Sequence, residues 1–323
     1  MIAALKAALR APVAFLLNAA ARCTGRRAGL VIAYHRVGDP HEDLADRLMP
    51  ALGTRAFDAQ IRHLKRRYTV VPASRILAAS EARRRWQRFP VAITFDDDTP
   101  SHVAAAMPIL QRRQVPATFF LSGASLEQPH AYWYDRLQVA IDRGLVTTSQ
   151  PLEGLSPGGV QAERRQIHDI AEAIKTLAPA EYDRVAEELL QRLGSDPPEY
   201  AMSKSDVRAL AGAGYEIGFH TLRHYILPSL DDRSLARAME EGRSELASLV
   251  GAEMSMIAYP NGDADRRVAN AARSAAYTLG FTADPRAVLP GTDALLIGRV
   301  YTEHDRAVGR FAHRIASVLT RRP

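Results

Sequence analysis

Three consecutive aspartates, Asp96, Asp97 and Asp98, follow a short apolar run that begins at Val91. The run is rich in Val, Ile, Thr and Phe, so we expect a buried strand that ends in carboxylates. Adjacent carboxylates repel one another, and a bound cation offsets that repulsion best. The triplet alone fits either a metal site or a solvated acidic turn in which Asp98 or Thr99 caps the next helix.

Two histidines four positions apart, His220 and His224, come directly after a second strand-like segment, residues 215–219. Neutral imidazole is a common ligand of zinc and of other borderline metals. The alternative, two solvent-exposed loop histidines, requires that two separate strand ends carry ligand-type residues by coincidence. Sites in sheets flanked by helices are built at the carboxyl ends of strands, so the two clusters together favour a metal site.

The segments that would position these residues alternate between strands and helices. Strand-like runs occur at 30–34, 68–71, 91–95, 115–121, 215–219, 256–258, 279–282 and 295–300, and helical spacing occurs at 57–67, 101–114, 235–250, 264–276 and 311–319. This repeated alternation predicts a parallel α/β architecture. With 47% apolar residues in 323, the chain has ample material for a packed core.

The segment from about 125 to 200 differs in character and interrupts this alternation. A Pro/Gly/Ser-rich stretch, 150–159, precedes two polar helices predicted at 162–177 and 180–193. We interpret the segment as a helical insertion and not as a separate domain. Its aromatic cluster, Tyr132, Trp133 and Tyr134, is typical of a core, although aromatic rings would also suit the apolar face of a sugar. His168 is interpreted as a surface residue.

Charge and cysteine content exclude some functions. The net charge is +6, and only 4 of the 42 basic residues are lysines, so 38 (42 − 4) are arginines spread along the chain. We find no helix face that resembles a nucleic-acid stripe and expect no nucleic-acid partner. The basic balance fits an anionic membrane surface or an acidic glycan. The single cysteine, Cys23, excludes an intrachain disulfide and a Cys-rich zinc site.

Residues 1–28 are expected to form an N-terminal segment that precedes the main domain, 29–323. The apolar run 11–21 with flanking basic residues resembles a weak signal peptide, and it also suits an amphipathic helix on a membrane surface. An ordinary helix that packs on the domain fits equally well. The run is too short and interrupted for a transmembrane helix. We favour a cytoplasmic protein or one peripheral to the inner membrane, with export as the alternative.

Taken as a set, these motifs resemble the polysaccharide deacetylase family, which comprises carbohydrate esterases of the nodulation-deacetylase type. The segments that carry the resemblance are Tyr34-His35-Arg36-Val37, Thr94-Phe95-Asp96-Asp97, Pro116-Ala117-Thr118-Phe119-Phe120, His220-Thr221-Leu222-Arg223-His224 and Ala258-Tyr259-Pro260-Asn261-Gly262. They occur in the family's order over roughly residues 30 to 300. The resemblance implies a distorted (β/α) barrel and metal-dependent removal of an N-acetyl or O-acetyl group from a sugar.

The resemblance also implies roles for particular residues. Asp97, His220 and His224 would bind a divalent metal ion, usually zinc. Asp96 would be the general base, and the backbone N–H of Tyr259 would help to hold the oxyanion. The implied partner is an acetylated glycan or glycoconjugate.

Two positions depart from the family pattern. Asp98 stands where the family usually has glycine, and we expect it to keep the turn, because Asp tolerates unusual backbone angles. A third carboxylate there could bias substrate charge or metal choice. The family's late leucine-histidine motif, which supplies the general acid, is not clear here, and His304 lies near its place. In members with an early Tyr-His element the early histidine is the acid, so we favour His35.

Three functions are compatible with the sequence. The first is a metal-dependent glycan deacetylase, most simply an N-deacetylase. The second is a catalytically silent carbohydrate-binding protein of the same fold, and the presence of every metal and base position argues against it. The third is a hydrolase of non-sugar linear amides.

Overall fold

The sheet consists of eight parallel strands. The computed structural model describes residues 2–38, 48–128, 130–147, 152, 163–196, 200, 202–302 and 305–321. The strands are β1 Leu30–Tyr34, β2 Thr69–Val70, β3 Pro90–Asp96, β4 Thr118–Leu121, β5 Glu216–Phe219, β6 Met256–Ala258, β7 Leu279–Phe281 and β8 Val300–Tyr301. Their order is β7-β6-β5-β4-β3-β1-β8, and β2 pairs with β3. All the carboxyl ends therefore lie at one edge.

Residues 297–301, which include β8, connect the two sides of the sheet, β7 and β1. Ile297 forms a parallel bridge with Phe281 of β7, and Val300 pairs with Ile32 of β1. The sheet thus curves around a filled interior, and the predicted distorted (β/α) barrel is confirmed. Along β3 all seven residues are buried, as expected of a parallel strand covered on both faces.

Twelve α-helices surround the sheet in the described residues. They are α1 Ile2–Arg22, α2 Thr54–Arg67, α3 Ile76–Ala82, α4 Met107–Arg113, α5 Trp133–Asp142, α6 Glu163–Lys175, α7 Pro179–Leu193, α8 Lys204–Gly212, α9 Asp232–Glu240, α10 Arg243–Val250, α11 Arg266–Ser274 and α12 Val308–Thr320. The structure contains two helices, α9 and α10, where one was predicted over 235–250. The chain turns at Gly242, whose φ of +82° favours glycine, and a Cβ there would lie 3.0 Å from the Leu222 side chain.

The N-terminal helix α1 packs on the last helix, α12. Ala14 and Leu17 of α1 contact Ala312 and Ala316 of α12, all small or apolar residues that allow close approach. No helix among the described residues is long and apolar enough to cross a membrane. The division of the chain at residue 28 stays a prediction.

The helical segment α5–α7 has an apolar core of its own. Trp133 and Leu137 of α5 pack with Ile174 of α6 and Val185 of α7. An ion pair of 2.6 Å between Arg36, just after β1, and Asp135 of α5 ties this segment to the carboxyl edge of the sheet. The segment is therefore placed beside the strand ends that carry the predicted ligands.

Candidate metal centre

The centre begins at the turn that ends β3. Asp97 has a φ of +73°, a left-handed conformation that Asp adopts more readily than most residues. The ring Nε2 of the buried His102 lies 3.0 Å from the Asp96 carbonyl oxygen and 2.9 Å from that of Asp97. This turn lets two adjacent carboxylates reach the same region. Asp97, and not Asp98, takes the unusual backbone angle of this turn.

Asp97, His220 and His224 come together at this turn. Nε2 of His220 lies 3.4 Å from Asp97 Oδ1, and Nε2 of His224 lies 3.6 Å from it. One ligand atom from each residue lies within 4.8 Å of the other two, and all three side chains are buried. Ligands bound at about 2.0–2.2 Å to a tetrahedral zinc ion lie roughly 3.3–3.6 Å apart. The spacing therefore suits one small cation.

Hydrogen bonds orient these side chains. Nδ1 of His220 lies 2.8 Å from the Ala258 carbonyl oxygen, so it donates there and leaves Nε2 as the free ligand atom. The Tyr134 hydroxyl donates to Asp97 Oδ2 at 2.7 Å. Asp97 Oδ1, which both imidazoles face, is buried without a hydrogen-bond partner. A buried carboxylate oxygen in this state is costly unless a cation binds it, so the donor set fits a divalent metal.

The surrounding charges favour a cation as well. Burial raises the pKa of Asp97, but His220, His224 and His35 outweigh it and hold that pKa below its usual range. Burial lowers the pKa of His220, and the carboxylates of Asp97 and Asp96 more than compensate, so the net shift is upward. Burial dominates at His224 and lowers its pKa to about 4. The carboxylates of Asp96 and Asp97 thus offset the cost of burying a positive charge beside them.

Asp96 is held by a buried arginine. Nη1 and Nη2 of Arg299 each donate to one carboxylate oxygen at 2.7 Å, and the Tyr301 hydroxyl donates at 3.1 Å. Burial raises the pKa of Asp96, but the Arg299 guanidinium more than compensates, and the pKa lies below its usual value. Sequence reasoning missed Arg299, although a charged residue inside the apolar run 295–300 was the available signal.

Asp98 points away from the centre. Its carboxylate accepts the Ser122 backbone N–H at 2.8 Å and the Ser122 hydroxyl at 2.7 Å. Burial raises the pKa of Asp98 despite these bonds. Asp98 therefore joins the end of β3 to the end of β4. The alternatives that it caps the following helix or acts on the metal do not fit this geometry.

His35 follows β1 and faces the same centre. Its ring stacks on that of Tyr301, with centroids 5.2 Å apart and an interplanar angle of 17°. A cavity of about 130 Å³ has His35, Asp97 and His224 in its wall. The competing candidate for the general acid, His304, lies outside the described residues. The structure thus places His35 within the candidate site.

The oxyanion role expected of the Tyr259 backbone N–H stays a prediction, and in this structure that group has another partner. Its backbone N–H donates to the Phe281 carbonyl at 3.0 Å, and its hydroxyl donates to the Leu295 carbonyl at 2.8 Å. The pairing of β6 with β7 extends through this residue, so the N–H is not free for an oxyanion. Asn261, two residues later and with a φ of +56°, borders the cavity instead.

The helical insertion forms the outer wall of the cavity. Trp133 and Tyr134 of α5 line it, and His168, Glu172 and Lys175 of α6 border it. The aromatic cluster is therefore buried, as predicted, and also faces the candidate site. His168 is exposed, as predicted, yet its position at the cavity was not anticipated.

Solved structures with the same fold are numerous. A Streptococcus pyogenes deacetylase, PplD, in complex with acetate is 14% identical and has a TM-score of 0.59; the match covers 92% of this chain and 99% of that one. IcaB from Ammonifex degensii is 19% identical with a TM-score of 0.57, over 91% of this chain and 97% of that one. A polysaccharide deacetylase from Bacillus cereus is 18% identical with a TM-score of 0.58, over 90% and 69%. At these identities the likeness concerns the fold.

Of the two sequence comparisons, one identifies a family. No curated protein matches this chain. The model of the polysaccharide deacetylase family matches residues 84–280, which is more than half of the chain and includes Asp96, Asp97, His220 and His224. Together with the barrel fold, this match shows that the chain belongs to the polysaccharide deacetylase family.

Proposed function

We propose that this protein is a metal-dependent hydrolase that removes the N-acetyl group from a sugar of a polysaccharide or glycoconjugate. Family membership supports deacetylation of a polysaccharide. The observation that carries the metal dependence is the buried, unpartnered Oδ1 of Asp97 between the Nε2 atoms of His220 and His224.

In this proposal Asp97, His220 and His224 hold one divalent ion, with zinc as the best fit to two imidazoles and a carboxylate. Such an ion, when bound, polarises the acetyl carbonyl and lowers the pKa of water. Tyr134 keeps the Asp97 carboxylate oriented through its second oxygen. Trp133 and Tyr134 of the insertion supply an aromatic wall for the sugar.

Asp96 is the general base of the proposed reaction. Arg299 keeps its carboxylate ionised and fixes its plane through two hydrogen bonds. Oδ2 accepts from both Arg299 and Tyr301, whereas Oδ1 accepts from Arg299 alone, so the second lone pair of Oδ1 can still accept the proton of the attacking water.

His35 is the general acid of the proposed reaction. An amide C–N bond breaks at neutral pH only if the leaving nitrogen receives a proton, and His35 borders the cavity beside the ligands. The His35 ring stacks on the Tyr301 ring, and the Tyr301 hydroxyl donates to Asp96. Tyr301 therefore contacts both the proposed acid and the proposed base.

Acetate release tests the function directly. We expect release from N-acetylhexosamine oligomers, peptidoglycan fragments or lipid-linked sugars, loss with a chelator, and recovery when a divalent metal is added back. Glycan binding without release would instead indicate a silent carbohydrate-binding protein. Release from linear acetylated amides alone would indicate the non-sugar hydrolase.

A comparison of two substrates, an N-acetyl sugar and an activated ester, distinguishes the two candidate general acids, His35 and His304. Without its acid, the enzyme should fail on an N-acetyl substrate yet retain more activity on an activated ester, whose leaving group needs no proton. We expect this selective loss in His35→Ala and not in His304→Ala, with metal content unchanged in both. The reverse result would assign the acid to His304.

A further inference from the structure

We propose that α1 and the loop 83–88 form a surface that docks on an anionic phospholipid membrane. This docking surface comprises four exposed apolar side chains, Val13, Phe15, Leu16 and Trp86, and the arginines around them. It lies apart from the candidate metal centre. Nothing in the deacetylation chemistry requires it.

The exposed large hydrophobic side chains of the described residues are concentrated at this one place. The large hydrophobic residues with exposed side chains are Val13 (39%), Phe15 (51%), Leu16 (64%) and Trp86 (59%). The first three lie within about one turn of α1. The backbone N–H of Trp86 donates to the Arg22 carbonyl at 2.8 Å, and Arg22 Nη2 donates to the Trp86 carbonyl at 3.0 Å. Trp86 is thus joined to the end of the same helix.

Basic residues surround these side chains. Segments 10–28, 62–69 and 81–88 contain four Arg or Lys residues each, and Glu81 is their single acidic residue. The rest of the chain has 30 basic (42 − 12) and 35 acidic (36 − 1) residues. The net positive charge of the protein therefore comes from these three segments. Charge complementarity selects an anionic lipid surface as the partner, with apolar side chains available to enter its interface.

Contacts show that the three segments form one surface. The Arg67 guanidinium lies 4.7 Å from the centroid of the Phe15 ring, and Arg85 lies 5.1 Å from that of Trp86. Arg88 donates to the Lys65 carbonyl at 3.4 Å. A cavity of about 170 Å³, bordered by Phe15, Arg22 and Arg67, opens between α1, α2 and α12. It offers guanidinium groups beside apolar surface, a combination that suits a phosphate head group.

The docking surface leaves the metal centre open. The loop 83–88 precedes β3 at its amino end, whereas Asp97 follows its carboxyl end, seven strand residues away. At about 3.3 Å per residue the two positions lie more than about 20 Å apart. Variants in the docking surface should therefore keep acetate release from soluble substrates.

Vesicle sedimentation of the full chain tests the proposal. We expect binding to vesicles that contain phosphatidylglycerol, and little binding to pure phosphatidylcholine. Phe15→Ser with Leu16→Ser removes the apolar contact, and Arg84→Glu with Arg88→Glu reverses the charge. Each pair should weaken binding about tenfold or more, because the first removes apolar side chains that enter the interface and the second replaces attraction to the anionic surface with repulsion. Arg233→Glu with Arg266→Glu, an equal charge change on exposed residues of α9 and α11, is the matched control and should bind normally.

Tryptophan fluorescence supplies an independent readout. The chain has two tryptophans, of which Trp86 is exposed and Trp133 is buried. We expect anionic vesicles to shift the emission to shorter wavelength in the wild type and not in Trp86→Phe. Absence of binding to anionic vesicles would overturn the proposal. Self-association that the Phe15→Ser with Leu16→Ser variant abolishes, without lipid binding, would identify a protein interface instead. Either result leaves the deacetylase test unaffected.

Discussion

Two histidines of this protein lie in opposite electrostatic surroundings. At the metal centre, burial lowers the pKa of His220, but Asp97 and Asp96 reverse the shift. Between α1 and α2, burial again lowers the pKa of His63, and Arg67 and Arg66 lower it further, to about 4. Burial alone therefore does not suit a histidine to a metal site. In our two proposals, the sign of the neighbouring charges suits one region to a cation and the other to an anionic surface.

The largest effect should come from His220→Ala. Removing one imidazole leaves two protein ligands, so we expect the purified variant to lose both its divalent metal and its acetate release. His63→Ala, the corresponding change in the arginine-rich region, should retain both. Elemental analysis of the two proteins measures the difference. Full metal content in His220→Ala would end the assignment of this ligand set.

Asp96→Asn should separate metal binding from turnover. Asn is nearly isosteric but cannot accept the proton, so we expect metal content to be kept and the rate of acetate release to fall roughly 10²–10⁴-fold. Steady-state kinetics on the best soluble substrate would show this. Turnover close to that of the wild type would mean that another group is the base.

Arg299→Met tests how much the buried ion pair between Arg299 and Asp96 contributes to the stability of the protein. Asp96 would keep a buried charge without compensation, which typically costs about 3–5 kcal/mol in the free energy of unfolding. Adding Asp96→Asn should restore part of that loss. Arg223→Met, at a partly exposed pair with Glu241, should cost at most about 1 kcal/mol. Denaturant titration of the four proteins compares them, and equal costs for Arg299→Met and Arg223→Met would contradict the argument.

Tyr134→Phe should weaken metal binding without abolishing it. The variant loses only the hydrogen bond to Asp97 Oδ2, and loss of a group that orients a ligand typically costs about 10–100-fold in metal affinity. Tyr225→Phe, which loses a hydroxyl bonded to Asp183, is the matched control. Competition with a fluorescent chelator measures both affinities. An unchanged affinity in Tyr134→Phe would show that the hydroxyl does not position the ligand.

The smallest expected effect is a loss of stability at acidic pH that arises from His63. Its folded-state pKa of about 4 lies below the ordinary value of 6.5, so between these pH values the unfolded chain binds a proton that the folded chain does not. Stability should therefore fall as the pH is lowered through this window. His63→Phe should make the fall less steep, as melting temperatures at pH 7 and 5 would show. An identical pH dependence would place the responsible groups elsewhere.

The fold class and the residues that could bind a metal were predictable from the sequence alone. Strand-forming runs that end in Asp96-Asp97 and in His220 are local patterns, and parallel strands bring their carboxyl ends to one edge whatever else the chain does. The motif order identified the family for the same reason. The insertion was visible because its composition and helical spacing differ from those of the barrel segments.

How these residues are held depends on the tertiary structure. Arg299 reaches Asp96 across 203 positions, and Tyr134 reaches Asp97 across 37, through strand neighbours and helix docking that no local pattern encodes. The backbone N–H of Tyr259 donates to Phe281 because β6 pairs with β7, and no local sequence pattern specifies that pairing. Residue types and their spacing indicate which reactions are possible. Strand register and side-chain direction determine which atoms are placed to take part in them.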